Sequence, residues 1–270
     1  MQQAKAILAN ATLLKAVQLL IHQAGEVIMQ VYQTANLSVE TKKDDSPVTK
    51  ADLDAHFVLV GGLAQLTPHI AIVSEEDPAS LEVPQQNKCY WLIDPLDGTK
   101  EFINRNGEFT VNLALIEDNR PSLGFVSTPV DKTLYWGGKQ LGSWRLRGSS
   151  VEPLQTRPSH NPIRVVASKS HLNEETRDFI TNLGETQLIQ AGSSLKFLRI
   201  AEGSADIYPR LAPTSEWDTA AAQAVLEGAG GMVTKVDGSP LEYGKNDILN
   251  PHFVARAVPD EIQRVLHSGK

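Results

Sequence analysis

The sequence predicts an α/β (α+β) protein built as two layered halves, and three observations predict it. Helical apolar periodicity runs through residues 4–33. Strand-like runs separated by short turns follow to about residue 138, the pattern of an antiparallel sheet. Beyond about residue 160 strands alternate with helices, as in a layered α/β unit. The boundary is expected near 150–160, giving halves 1–155 and 156–270.

Taken in order, residues 4–33 read as one long helix. Ile7, Ala11, Leu14, Val17, Ile21, Ala24, Ile28 and Val31 recur at steps of three and four, which puts them on one face for docking on a core. The polar stretch KKDDSPVTKADLD follows, with Asp52 opening a second helix through about Leu66. HIAIVSEED and CYWLIDPLDG each read as a strand that runs out into acids. FTVNLALIED, SLGFVSTPV and KTLYWGG complete the first set of strands. After a loop, RGSSVEPLQTRPSHNP, come strands in IRVVAS, TQLIQ, ADIYP, GMVTKV and HFVAR, with helices near 173–183, 194–202, 216–229 and 259–267.

Composition narrows the function. At 270 residues, 41% hydrophobic and 21% charged, the chain can bury a sizeable core. A net charge of -7 argues against a nucleic-acid polymer as partner, which calls for a basic face. It leaves room for a small phosphorylated substrate, because divalent cations reverse the local sign. One cysteine, Cys89, read as a buried residue at a strand start, forms no internal disulfide and suits a reducing cytoplasm. No apolar run reaches the ~18 residues of a membrane span and no signal peptide is visible, so no integral membrane association is expected.

Four segments place carboxylates at strand ends or helix starts: Asp52 in PVTKAD, Glu75 in SEED, Asp94 and Asp97 in DPLDGT, and Asp218 in EWDTAAAQ. Each alone has an ordinary reading, as a solvated turn, a surface acidic cluster or a helix cap. Together they form an oxygen-rich set of the kind magnesium prefers. Pro95 fixes the turn between Asp94 and Asp97 and leaves the Leu96 carbonyl as a further ligand. Gly98 and Thr99 read as a helix start whose N–H groups attract a phosphate oxygen.

PVTKAD, SEED, WLIDPLDGTKEF and WDTAAAQAVLEGAGG together resemble the inositol monophosphatase superfamily, with signatures D-P-[IL]-D-G-[ST] and W-D-x-A-A. DGTKEF with GSSLKF is similar to its CysQ-type 3'(2'),5'-bisphosphate nucleotidase branch. The resemblance spans roughly Ala4 to Val258. It implies the layered αβαβα sandwich of the inositol monophosphatase and fructose-1,6-bisphosphatase type, with a mixed sheet in the second half. It also implies two or three Mg²⁺ ions. Glu75, Asp94 and the Leu96 carbonyl would ligate the first; Asp94, Asp97 and Asp218 the second; and a weaker third would lie near Glu75 and Asp52. Thr99 would bond the attacking water, with Asp52 accepting the threonine proton.

The same resemblance implies substrate contacts from Glu75, Leu96, Asp97, Gly98, Thr99 and Asp218. From the second half it adds Ser193 and Lys196 of GSSLKF, Ser170 and His171 of SKSH, and Arg210 of YPRL. Lys196 and Arg210 also read as solvated charges, His171 as a helix cap, and Tyr208 and Trp217 as base-stacking or core residues. The implied reaction is hydrolysis of the 3'-phosphate of adenosine 3',5'-bisphosphate (PAP) to AMP, and of its sulfated analogue PAPS to APS. The expected location is the cytoplasm, with peripheral inner-membrane association open, and the oligomeric state is left open. An inositol monophosphatase or sugar phosphatase is the alternative, against which DGTKEF weighs because inositol-preferring members read D-G-T-x-N-F. A non-catalytic metal- and nucleotide-binding regulator is the remote one.

Overall fold

Asn10 divides the expected N-terminal helix. A computed structural model describes residues 1–34, 37, 39–41, 47–168 and 172–257. In it α1 (Gln2–Ala9) and α2 (Ala11–Tyr32) meet at 94°. Asn10 is extended, and its side chain accepts from the Leu13 N–H at 3.1 Å, so it caps α2 instead of continuing α1. Of the expected apolar positions Ile7, Val17, Ile21, Ala24 and Ile28 are in the core, Leu14 and Val31 are half-buried, and Ala11, next to the break, is exposed. Turning α1 aside also lets the Gln3 and Ala4 N–H groups donate to Glu117. Among the described residues, no single helix is long and apolar enough to cross a membrane.

A short ribbon of β1 (Glu40–Thr41) and β2 (Pro47–Val48) leads into α3 (Lys50–Leu66). The first sheet then follows in chain order: β3 (Ala71–Ser74), β4 (Cys89–Asp97), β5 (Thr110–Glu117), β6 (Arg120–Thr128), β7 (Thr133–Gly138), β8 (Gly142–Arg147) and β9 (Ser150–Pro153). All its pairs are antiparallel except β3 with β4, which run parallel and are joined through a 3₁₀ segment, Pro78–Gln85. That exception matters to the site, because it brings the C-terminal ends of both strands to one edge. β9 falls inside the expected loop; all four of its residues are exposed, so no apolar alternation marks it.

A five-residue helix, α4 (Thr99–Ile103), bridges β4 and β5. The second half contains β10 (Ile163–Ala167), α5 (Glu174–Asn182), β11 (Thr186–Gln190), α6 (Leu195–Ala201), β12 (Ile207–Arg210), α7 (Glu216–Gly228), β13 (Met232–Lys235) and β14 (Phe253–Arg256). Its sheet has the order β11-β10-β12-β14-β13 and is mixed: β10 is parallel to β11 and β12, and β14 is antiparallel to β12 and β13. The helix expected at 259–267 lies outside the described residues.

Burial shows five layers. One face of the first sheet, with Trp91, Ile93 and Leu113, packs on α2 and α3. Its other face, with Tyr90, Leu92, Ala114 and Val126, shares a core with α6 and α7 and with Tyr208, Val233 and Phe253 of the second sheet. Val165, Ile207 and Val254 on the outer face of that sheet meet Phe179 and Ile180 of α5. The order is α, β, α, β, α. The middle layer is tightly seated: a Cβ on Gly124 of β6 would lie 2.1 Å from the Ala221 carbonyl oxygen of α7.

Candidate active site

Asp94 and Asp97 are three residues apart, and in a regular strand they would face opposite sides of the sheet. They do not, because β4 carries a bulge there. Asp94 pairs with Asn112 and Asp97 with Thr110, so three steps on β4 answer two on β5. The extra residue turns Asp97 onto the side of Asp94. The Leu96 N–H donates to Asp94 Oδ1 at 3.0 Å, which fixes the turn.

Glu75 follows β3 directly, and its N–H donates to the Ile93 carbonyl at 3.1 Å, which sets it beside Asp94. Asp218 lies in the first turn of α7, where it accepts from the Ser215 N–H at 2.8 Å. Carboxylate oxygens of Glu75, Asp94 and Asp218 come within 4.8 Å of one another. Burial first, and then repulsion from Glu75, Asp97, Asp218 and Glu76, hold the Asp94 pKa well above the carboxylate range. Asp218 is raised likewise by burial, then by Asp97 and Glu75. Such a set of hard oxygen donors, short of positive charge, fits a divalent cation.

The two oxygens of Asp52 have separate partners. Oδ2 accepts from the Thr49 N–H at 2.8 Å and the Thr49 hydroxyl at 2.6 Å, closing a capping box at the start of α3. Oδ1 accepts from the Thr99 hydroxyl at 3.1 Å, and that hydroxyl lies 3.3 Å from the Leu96 carbonyl. Burial raises the Asp52 pKa against the pull of Thr49. Gly98, at φ +92°, caps α4 in the left-handed region that favours glycine.

A cavity of about 260 Å³ opens beside these acids, lined in part by Glu75, Asp97, Thr99, Lys196, Arg210 and Asp218. Lys196 is buried within it; its ammonium donates to the Ser193 carbonyl and lies 5.5 Å from the Tyr208 ring centre. Burial pushes its pKa down to about 8, with Asp97 opposing and Arg210 adding to the fall. Arg210 donates to the carbonyls of Ala212 and Pro213.

Asp97 lies outside the 4.8 Å trio, and Oδ2 accepts from Ser193 at 2.6 Å and Asn112 at 3.3 Å. The Ser193 hydroxyl, expected to face a phosphate, is thus turned to a carboxylate. Tyr208 and Trp217 both belong to the core, although Tyr208 also lines the cavity. Cys89 starts β4 as expected but is only half-buried. Ser170 and His171 lie outside the described residues.

Sequence reading missed Thr49, Glu76, Thr110, Asn112 and Ser194, and had Glu101 only as the residue that sets DGTKEF apart from D-G-T-x-N-F. Thr49 had a signal, the T-x-x-D spacing of a cap. Thr110 and Asn112 had one too: two polar residues at i and i+2 on a wholly buried strand whose other residues are apolar as far as Ile116. Glu101 lines the cavity and is buried, next to Gly98 and Gly192.

Residues 9–268 match the profile of the inositol monophosphatase family. The chain belongs to that family. A 3'(2'),5'-bisphosphate nucleotidase CysQ from Salmonella typhimurium is 48% identical over 243 residues, covering 89% of this chain and 98% of that protein. The protein of the same name from Escherichia coli K12 is 48% identical over 236 residues, covering 87% and 95%. The crystal structure of CysQ from Bacteroides thetaiotaomicron, a bacterial member of the inositol monophosphatase family, superposes with a TM-score of 0.81 at 36% identity, covering 93% and 98%. Inositol monophosphatase family members are metal-dependent phosphatases, and the Glu75, Asp94 and Asp218 trio gives this one an acidic cluster able to hold a metal.

Proposed function

We propose that this family member is a Mg²⁺-dependent 3'(2'),5'-bisphosphate nucleotidase, removing the 3'-phosphate of PAP to leave AMP and converting PAPS to APS. The observation that carries the reading is a buried lysine, Lys196, facing an acidic cavity in a chain 48% identical to nucleotidases of that name. A bisphosphate needs a second cationic anchor away from the phosphoryl group that leaves, and Lys196 with Arg210 supplies it.

Glu75, Asp94, the Leu96 carbonyl, Asp97 and Asp218 would hold two or three magnesium ions, which would offset the phosphoryl charge and lower the pKa of the attacking water. Thr99 aligns the attacking water and takes its proton as it passes its own to Asp52, whose raised pKa makes it the better base. Gly98 and Thr99 present backbone N–H groups to the transferred phosphoryl oxygens. Residues 1–155 supply most of the metal ligands, and residues 156–270 supply Asp218 and the anchors for the second phosphate. A reducing cytoplasm suits the single cysteine.

Phosphate release from PAP and from inositol 1-phosphate, with magnesium and with chelator, tests the reading. Turnover of PAP at a kcat/KM at least about 100-fold above inositol 1-phosphate, abolished by chelation, is expected. The reverse preference would replace it with an inositol phosphatase.

A further inference from the structure

Asp97, Ser193, Thr110, Ser194 and Asn112 form a ring of polar side-chain contacts, in which the single Thr110 proton serves one of its two serine neighbours at a time. Ser193 donates to Asp97 Oδ2 at 2.6 Å, and the Ser193 hydroxyl lies 2.5 Å from that of Thr110. Thr110 lies 2.8 Å from the Ser194 hydroxyl. Ser194 donates to Asn112 Oδ1 at 2.9 Å, and the Asn112 amide returns to Asp97 Oδ2 at 3.3 Å. Thr110, Asn112 and Ser194 are at most 1% exposed. Two members sit on β5 of the first sheet; Ser193 and Ser194 form the turn that starts α6 in the second half.

The ring fixes more than Asp97. Ser193 and Asn112 both donate to Oδ2, and the Thr110 hydroxyl lies 3.5 Å from it. Ser193 is held in the left-handed region, at φ +49°, where a residue with a side chain is strained unless its surroundings hold it. Its carbonyl takes the Lys196 ammonium. One short turn therefore bears on the Asp97 carboxylate through its hydroxyl and on the Lys196 ammonium through its carbonyl.

We propose that Ser194, Thr110 and Asn112 are positioning residues that link cation binding at Asp97 to phosphate binding at Lys196, so that each ligand tightens the other. This rests on the proposed function in taking Asp97 as a metal ligand and Lys196 as the anchor of the phosphate that stays. Orienting partners of ligating carboxylates typically change metal affinity by ~10–100-fold, and binding linkage is reciprocal.

The test is calorimetric titration of Mg²⁺ into the metal-free protein, alone and with saturating AMP or ribose 5-phosphate, neither of which carries a phosphoryl group to be removed. In the parent, each phosphate is expected to tighten Mg²⁺ binding about tenfold. In Ser194→Ala the gain should fall below about twofold. Thr110→Val, which removes the hydroxyl next in the ring at nearly constant volume, should do the same and keeps the test open if the first variant fails to fold. A parent without the gain, or a tenfold gain kept in the variants, overturns the proposal. A gain with ribose 5-phosphate alone supports the linkage while counting against a nucleotide as the substrate.

Discussion

Asp52 divides its labour by atom: one oxygen caps α3 through Thr49, and the other receives the Thr99 hydroxyl. Replacing it with asparagine keeps an oxygen for the cap and removes the base. Asp52→Asn should therefore leave the melting temperature nearly unchanged while lowering kcat by about 10²–10⁴. Thr99→Val should produce a similar loss. Because the two groups move one proton in series, the double variant should be no slower than the worse single, a non-additivity that a cycle of four kcat measurements reads directly. Additive losses would separate the pair. Asp52, Glu75, Asp94, Asp97 and Asp218 were legible in the sequence because each stands in a short local motif. The pairing of Asn112 with Ser194 was not, since it joins residues 82 apart and neither carries a charge.

At the scale of elements, the strands that form the site follow plainly from apolar runs ending in acids. The bulge in β4 also had a cue: two carboxylates at odd spacing in a strand share one side only if an irregularity lies between them. The parallel pairing of β3 with β4 and the break at Asn10 were not legible, since apolar periodicity says what is buried and not which neighbour buries it. The seat of α7 on β6 is a further case. Asp218 is aimed by that helix, and Gly124 gives the helix its close approach to the sheet. Gly124→Ala puts a methyl group against the Ala221 carbonyl, where backbone must move. A loss of about 1–3 kcal/mol is expected, together with weaker metal binding because Asp218 shifts. Thermal melting and Mg²⁺ titration of the variant check both, and an unaltered melting temperature would show that the layers slide freely.

At the scale of the whole molecule, the active site works against the fold that holds it. Without a cation, Asp94, Asp97 and Asp218 are raised by burial, and Asp94 and Asp218 further by the acids around them. A carboxyl with a higher pKa in the folded than in the unfolded chain contributes stability that is whole below the ordinary carboxylate range and is lost as pH rises through the raised value. The protein in chelator should thus melt higher at about pH 5.5 than at about pH 7.5, by roughly 3–6 °C for a chain of this size. His56 opposes this trend, because burial lowers its pKa and favours the neutral ring. Lys196, pushed down to about 8, acts only at higher pH, where its loss of a proton favours the fold. Magnesium competes with protons for the same oxygens, so its stabilisation should be the larger at about pH 7.5, near 2.7 kcal/mol at 100 times the dissociation constant. Asp94→Asn removes the most crowded charge. That variant should lose catalysis and most of the magnesium effect, yet melt above the parent in chelator at neutral pH. Melting curves at the two pH values, with and without magnesium, settle the matter: a parent in chelator that melts higher at neutral pH would mean that the buried acids are already neutralised from within the protein.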